Sequence, residues 1–123
     1  MKVAVTSEGK EMNSQVDPRF GRAAWYVVVD SDTGESEFID NSDVASASHG
    51  AGPQAAKRIA ELGVDAVITG HCGPNAFRAL NAAGIKVYTN AEGTVSDAVE
   101  MMKKGELEAS QNPDVRGHWQ GMK

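Results

Sequence analysis

VDAVITGHCGPNAFRALNAAGIKVY, residues Val64–Tyr88, decides the fold. Ala66–Thr69 (AVIT) is a short apolar, partly β-branched run and reads as a strand buried on both faces. The turn GHCG follows at once, and NAFRALNAAG then places Ala76, Phe77 and Leu80 on one helical face. Pro74 suits the first helical position, where a missing N–H is no loss, and Gly84 suits the residue after the last turn. Ile85–Tyr88 (IKVY) is a second strand, which completes a βαβ unit. The loop Gly70–Gly73 therefore lies at the carboxyl end of a parallel strand, where open α/β sheets bind their ligands.

Outward from this unit, Pro53–Leu62 reads as an amphipathic helix with Ala55, Ala56, Ile59, Ala60 and Leu62 mostly inward and Gly63 closing it. Lys2–Thr6 (KVAVT) is a natural central strand with Val3 and Val5 on one face. Ala24–Asp30 and Ser36–Asp40 flank the turn DSDTGE and form a hairpin. Thr94 caps a last helix, with Asp97 three residues on, and Val95, Ala98, Val99 and Met102 as its buried stripe. Ser7–Arg22 and Asn41–Gly52 read as loops, the first too polar for the core. Right-handed crossovers place Lys2–Thr6, Ala66–Thr69 and Ile85–Thr89 side by side and parallel, with the antiparallel hairpin on the other side. The expected fold is α/β and ribonuclease-H-like: a five-stranded mixed sheet of order 3-2-1-4-5, flanked by helices. Residues 1–108 form the single domain, and 109–123, without periodicity, read as a mobile C-terminal tail.

A length of 123 residues fits one domain, and 41% hydrophobic with 24% charged residues is ordinary globular composition. No apolar run approaches the roughly 18 residues of a membrane span, and no basic-then-apolar leader opens the chain. The expectation is a cytoplasmic protein without membrane contact. A net charge of −5 argues against non-specific nucleic-acid binding. The single cysteine, Cys72, excludes an internal disulfide.

The cations are unevenly spread. Three loops, Pro18–Arg22 (PRFGR), His49–Gly52 (HGAG) and Gly70–Gly73 (GHCG), can converge at one sheet edge, and two of them lead into helices. Free N–H groups and positive dipole ends would then share a space with Arg19, Arg22, His49 and His71, a composition that suits an anion. Each feature alone is mostly capping chemistry; their coincidence carries the reading. Cys72 at a helix start is open to three roles: cluster or metal ligand, nucleophile, or a small buried residue under the loop. His71, as its immediate neighbour, diverges from it, so a nucleophilic dyad would need His49 as base. One Cys and three His without ligand spacing match no zinc site, and His118 beside Trp119 reads as incidental. The predicted strands Lys2–Thr6 and Ala66–Thr69 carry no carboxylates, so a two-metal nuclease finds no support.

MKVAVTS, then FGRA (Phe20–Ala23) before an aromatic–valine strand, then TGHCGPNAFRALNAAGIKVY, resembles the dinitrogenase iron–molybdenum cofactor biosynthesis family over roughly Met1–Leu107. The resemblance implies a ribonuclease-H-like fold and a non-catalytic carrier or scaffold for an anionic metal–sulfur cluster, of iron–molybdenum or molybdenum–copper type, held non-covalently. It implies as partners the proteins that deliver or receive the cluster, and an accessory role in nitrogen fixation. It places Phe20, Gly21 and Arg22 at the cluster pocket with the loop from Gly70 through His71, Cys72 and Gly73 to Asn75. Nitrogenase-linked members often carry histidine before FGRA, where this chain has Arg19, which shifts the balance toward capture by charge. His49, His71 and Cys72 stand as candidate metal ligands. The alternative is a regulatory or protein-interaction module on the same fold, its pocket empty or holding a phosphorylated metabolite.

Overall fold

The central strand β1 (Lys2–Ser7) is buried along all but its first residue, as its run of small and β-branched side chains requires. In the computed structural model, which describes residues 1–110, it pairs antiparallel with β2 (Trp25–Asp30) and parallel with β4 (Ala66–Ile68). β3 (Ser36–Asp40) extends the sheet beyond β2, and β5 (Lys86–Tyr88) beyond β4. The order is β3-β2-β1-β4-β5, as expected, with the hairpin antiparallel.

Alternation along the strands sends side chains to two cores. Ala4, Tyr26, Val28, Val67 and Val87 face α2 (Ala51–Glu61) and α3 (Pro74–Ala82). Val3, Val5, Val27, Val29 and Ile68 face α4 (Val95–Lys103). A capping box closes the start of α4: Asp97 N–H donates to the Thr94 hydroxyl and Thr94 N–H to the Asp97 carboxylate. Val95, Ala98 and Val99 are buried, while Met102 is only packed against the rim. Among the described residues no helix is long and apolar enough to cross a membrane.

The structure corrects the sequence reading at several points. The second helix starts at Ala51, two residues before Pro53, and Ala60 faces solvent. A short turn of helix, α1 (Ser42–Ala45), stands where only loop was expected; it is held by Asp40 accepting from Ser42 N–H and by Ser46 Oγ donating to the Ser42 carbonyl. The larger correction concerns Ser7–Arg22. This segment is polar in side chains but tied down by backbone: Val16 N–H donates to Gly93 and Asp17 N–H to Thr6, both at 2.9 Å. Its carbonyls of Ser14 and Met12 accept from Val95 and Ser96 N–H, each at 2.9 Å, and so satisfy first-turn donors of α4. Val16, Asp17 and Phe20 are buried. At the other end, Ala109 bridges to Tyr88, and Ser110 N–H donates to Val87 at 2.7 Å, so the expected tail begins as a short pairing on the open edge of β5. The remainder of that segment, with His118 and Trp119, lies outside the described residues.

Candidate functional site

Glycines bring the three loops together. A Cβ on Gly21 would sit 2.7 Å from both the Cα and the N of Gly52, and one on Gly52 would lie 3.3 Å from Ala76 Cβ. The FGR loop, the start of α2 and the start of α3 therefore meet around Gly52. Gly70 is as crowded, since its Cβ would fall 2.6 Å from Pro18 Cα. Beside it, His71 N–H donates to the Pro18 carbonyl at 2.7 Å and Phe20 N–H to the His71 carbonyl at 3.1 Å. The Thr6 hydroxyl donates to the Asp17 carbonyl at 2.7 Å and lies 3.0 Å from the Thr69 hydroxyl, which fixes the base of the loop to the ends of β1 and β4.

Between these loops lies a cavity of about 510 Å³, within the range of small-ligand sites. Arg19, Phe20, Gly21, Arg22, His49, His71, Gly73 and Asn75 line it. Gly70 and Cys72 do not. Gly70 is buried under Pro18, and Cys72 is fully buried in the core that contains Phe20, Tyr26 and Leu80. Among the described residues no three His, Cys, Asp or Glu side chains gather to hold a metal ion, so His49, His71 and Cys72 do not form a ligand set.

Helix-start backbone faces the cavity as well. α2 and α3 are the two helices that open on it, and their N-caps, Gly50 and Gly73, have no side chain with which to cap. Pro53 and Pro74 each lack an N–H, which leaves Ala51 and Gly52 of α2, and Asn75 and Ala76 of α3, as first-turn donors. The start of α4, by contrast, is closed by its box and by the carbonyls of Ser14 and Met12. Positive helix ends favour anions.

The two arginines differ. Arg19 is 62% exposed at its side chain, and its Nε and Nη2 reach the buried Asp17 carboxylate at 3.2 and 3.4 Å. The same carboxylate accepts from Arg19 N–H at 3.0 Å, and the hydrogen bond to Asp17 raises the guanidinium pKa further. Arg22 is a clamp as well as a cation, since its Nη1 donates to the carbonyls of Ala45 and Ala47, both at 2.8 Å, and so ties the segment before His49 to the FGR loop.

Beneath the loop is a polar network that the sequence did not disclose. The Tyr26 hydroxyl donates to the Phe20 carbonyl. The fully buried Asn41 donates from Nδ2 to the carbonyls of Ala23 at 2.9 Å and Gly21 at 3.2 Å. Arg58 Nη1 meets Asn41 Oδ1 at 3.4 Å, and the guanidinium pairs with Asp43 through contacts of 3.1 and 2.8 Å. That pairing, with an N–H bond from Val44, holds the Asp43 carboxyl down at about 2. Burial pushes the Tyr26 phenol well above its ordinary value. Phe20 packs against Tyr26 with ring centroids 5.7 Å apart. Nothing in the polar run NSD marks Asn41 as buried; only its place after β3 could have suggested it.

Comparisons with known proteins bear on the family and the fold. The family model described as dinitrogenase iron-molybdenum cofactor matches residues 1–105. The apo orange protein of Desulfovibrio gigas is similar in structure, with a TM-score of 0.90 and 45% identity over 93% of this chain and 96% of that one. A Thermotoga protein described as a NifB candidate of the DUF35 family superposes with a TM-score of 0.82 at 35% identity, covering 94% of this chain and 98% of its own. An uncharacterised protein of Methanocaldococcus jannaschii is 31% identical over 111 residues, 88% of this chain and 90% of that protein.

Proposed function

The chain belongs to the dinitrogenase iron-molybdenum cofactor family, and from that premise we propose that it is a non-catalytic carrier or scaffold for an anionic metal–sulfur cluster. The cluster, of iron–molybdenum precursor or molybdenum–copper–sulfur type, is cargo. One observation carries the reading: the uncapped starts of α2 and α3 and the FGR loop open on one cavity beside Arg19 and Arg22. Preorganised N–H groups and guanidinium donors hold a polyanion without a covalent bond, and hydrogen bonds to charged partners are about twice as strong as neutral ones.

The residues present fit such cargo better than a resident metal ion. No side-chain ligand set is gathered among the described residues, and the one thiol is buried away from the cavity. His49 is an exposed cavity residue and a candidate outer ligand; His71 lines the inner wall, half-buried. A cluster seated here would remain accessible past the exposed His49, Gly50, Gly73 and Asn75, which suits exchange with a delivering or receiving protein. The proposal places the protein in the cytoplasm.

Anaerobic titration with tetrathiomolybdate and copper, followed in the visible, tests it. Saturable uptake of a coloured cluster that stays with the protein through gel filtration is expected. Absence of saturable uptake, with inorganic phosphate bound instead, would move the site to a phosphorylated metabolite.

A further inference from the structure

We propose that Asn41, oriented by Arg58 and Asp43, is a positioning residue of the cavity: it sets which way the FGR loop's peptides point. The proposal rests on the anion-binding reading above and concerns how the site is made.

A trans peptide is planar, with its C=O and N–H on opposite sides. The Phe20 carbonyl points inward to the Tyr26 hydroxyl, so the N–H of the same peptide, that of Gly21, points outward. The Gly21 carbonyl points inward to Asn41 Nδ2 at 3.2 Å, so the N–H of Arg22 points outward. Gly21 and Arg22 both line the cavity. Two inward carbonyls thus convert an irregular loop into a pair of donors that complement those at the starts of α2 and α3.

Asn41 can do this only with its amide one way round. Reversed, Oδ1 would face the carbonyls of Gly21 and Ala23, acceptor against acceptor, in a fully buried site. Arg58 selects the working orientation by donating to Oδ1, and Asp43 holds Arg58 in place through two contacts. The backbone is fixed as well, since Asn41 N–H donates to the Ala24 carbonyl at 3.0 Å. No buried side-chain nitrogen or oxygen among the described residues lacks a partner, so turning the loop's peptides would break hydrogen bonds that are made.

The test is amide NMR during titration with tetrathiomolybdate, a diamagnetic dianion. In the wild type, the amide protons of Gly21, Arg22, Asn75 and Ala76 should move downfield together. Asn41→Asp keeps the shape and the Arg58 pairing but, once ionised at alkaline pH, cannot donate; affinity there should fall about tenfold, the loss of one charge-assisted hydrogen bond. The Arg22 response should vanish while Asn75 and Ala76 still respond. Arg58→Lys, at a half-exposed side chain, keeps the charge without the fork and should weaken the Arg22 response in the same selective way. A merely structural Asn41 would lower the melting temperature and leave the pattern of responses unchanged, which overturns the proposal. If Asn41→Asp does not fold, the wild type and Arg58→Lys decide. Response at Asn75 and Ala76 but not at Gly21 and Arg22 in the wild type also overturns it, with the binding reading intact. No response at any of the four amides overturns the binding reading itself.

Discussion

Gly21→Ala is the sharpest perturbation of the loop junction. The added Cβ would sit 2.7 Å from Gly52 Cα and N and 3.0 Å from the Ala51 carbonyl carbon. Ordinary carbon contacts are about 3.5–4.0 Å, so the FGR loop and the start of α2 must part by roughly 1 Å. All three atoms are backbone, and no side chain can swing away to make room. Overpacking of this kind costs about 1–3 kcal/mol. At roughly 4 °C per kcal/mol for a domain of this size, the melting temperature should fall by about 4–12 °C. Affinity should suffer separately, because donors on the parted elements no longer reach one anion. Moving an N–H···acceptor pair from about 2.9 to 3.9 Å takes it beyond hydrogen-bond range. Losing one such bond to a charged acceptor weakens binding roughly tenfold to a hundredfold. Gly73→Ala is the control: it lines the same cavity, has φ −69°, and its Cβ would meet nothing within 4 Å. It should stay within about 1 kcal/mol of wild type, a small N-cap cost offsetting a less flexible unfolded chain. Calorimetry and tetrathiomolybdate titration on both variants decide the matter. Equal behaviour of Gly21→Ala and Gly73→Ala would refute the reasoning.

Three further outcomes are expected. Arg22→Ala removes a cation and the clamp on the carbonyls of Ala45 and Ala47; it should weaken tetrathiomolybdate binding about tenfold or more and speed amide exchange at Ala45, Ser46 and Ala47. Slower or unchanged exchange there would show that the clamp holds nothing. Asp43 titrates at about 2 in the folded protein against about 3.9 unfolded, so its stabilisation is complete above the unfolded value and disappears as pH falls toward 2. Urea unfolding of wild type and Asp43→Asn should therefore converge across that window; parallel curves would contradict the Arg58 pairing. The raised Tyr26 phenol gives the opposite slope: stability is full below about pH 10 and falls above it as the unfolded chain ionises. Tyr26→Phe should lose that alkaline slope, and an unchanged one would place Tyr26 outside the buried network.

Much of the fold was legible because periodicity and punctuation agree within Val64–Tyr88. A short β-branched run, a proline at a helix start and a glycine at its end leave one way to build βαβ, and handedness then orders the sheet. Trp25–Asp30 was readable for the same reason, alternating toward the two cores. Ser7–Arg22 was not, because its order comes from main-chain bonds to Gly93, Val95 and Ser96, and backbone partners leave no mark on residue type. The three loops of the candidate site were visible as glycine and cation clusters, and the structure gathers most of their residues around one cavity. Cys72 shows the limit of that reading. Its position after a strand and before a helix leaves ligand, nucleophile and small buried residue all open, and only the tertiary packing, which buries it fully in the core, selects the last. Asn41 shows the converse, a polar residue in a polar run whose burial depends wholly on tertiary partners.

The most direct test of the account is anomalous diffraction at the molybdenum edge from crystals of the protein loaded with a tetrathiomolybdate–copper cluster. The account predicts a molybdenum peak in the cavity between Gly21, Gly52 and Asn75, with cluster sulfurs facing backbone N–H groups and no bond to Cys72 Sγ. A peak on another surface, or a sulfur bond from Cys72 to the metal, would contradict it.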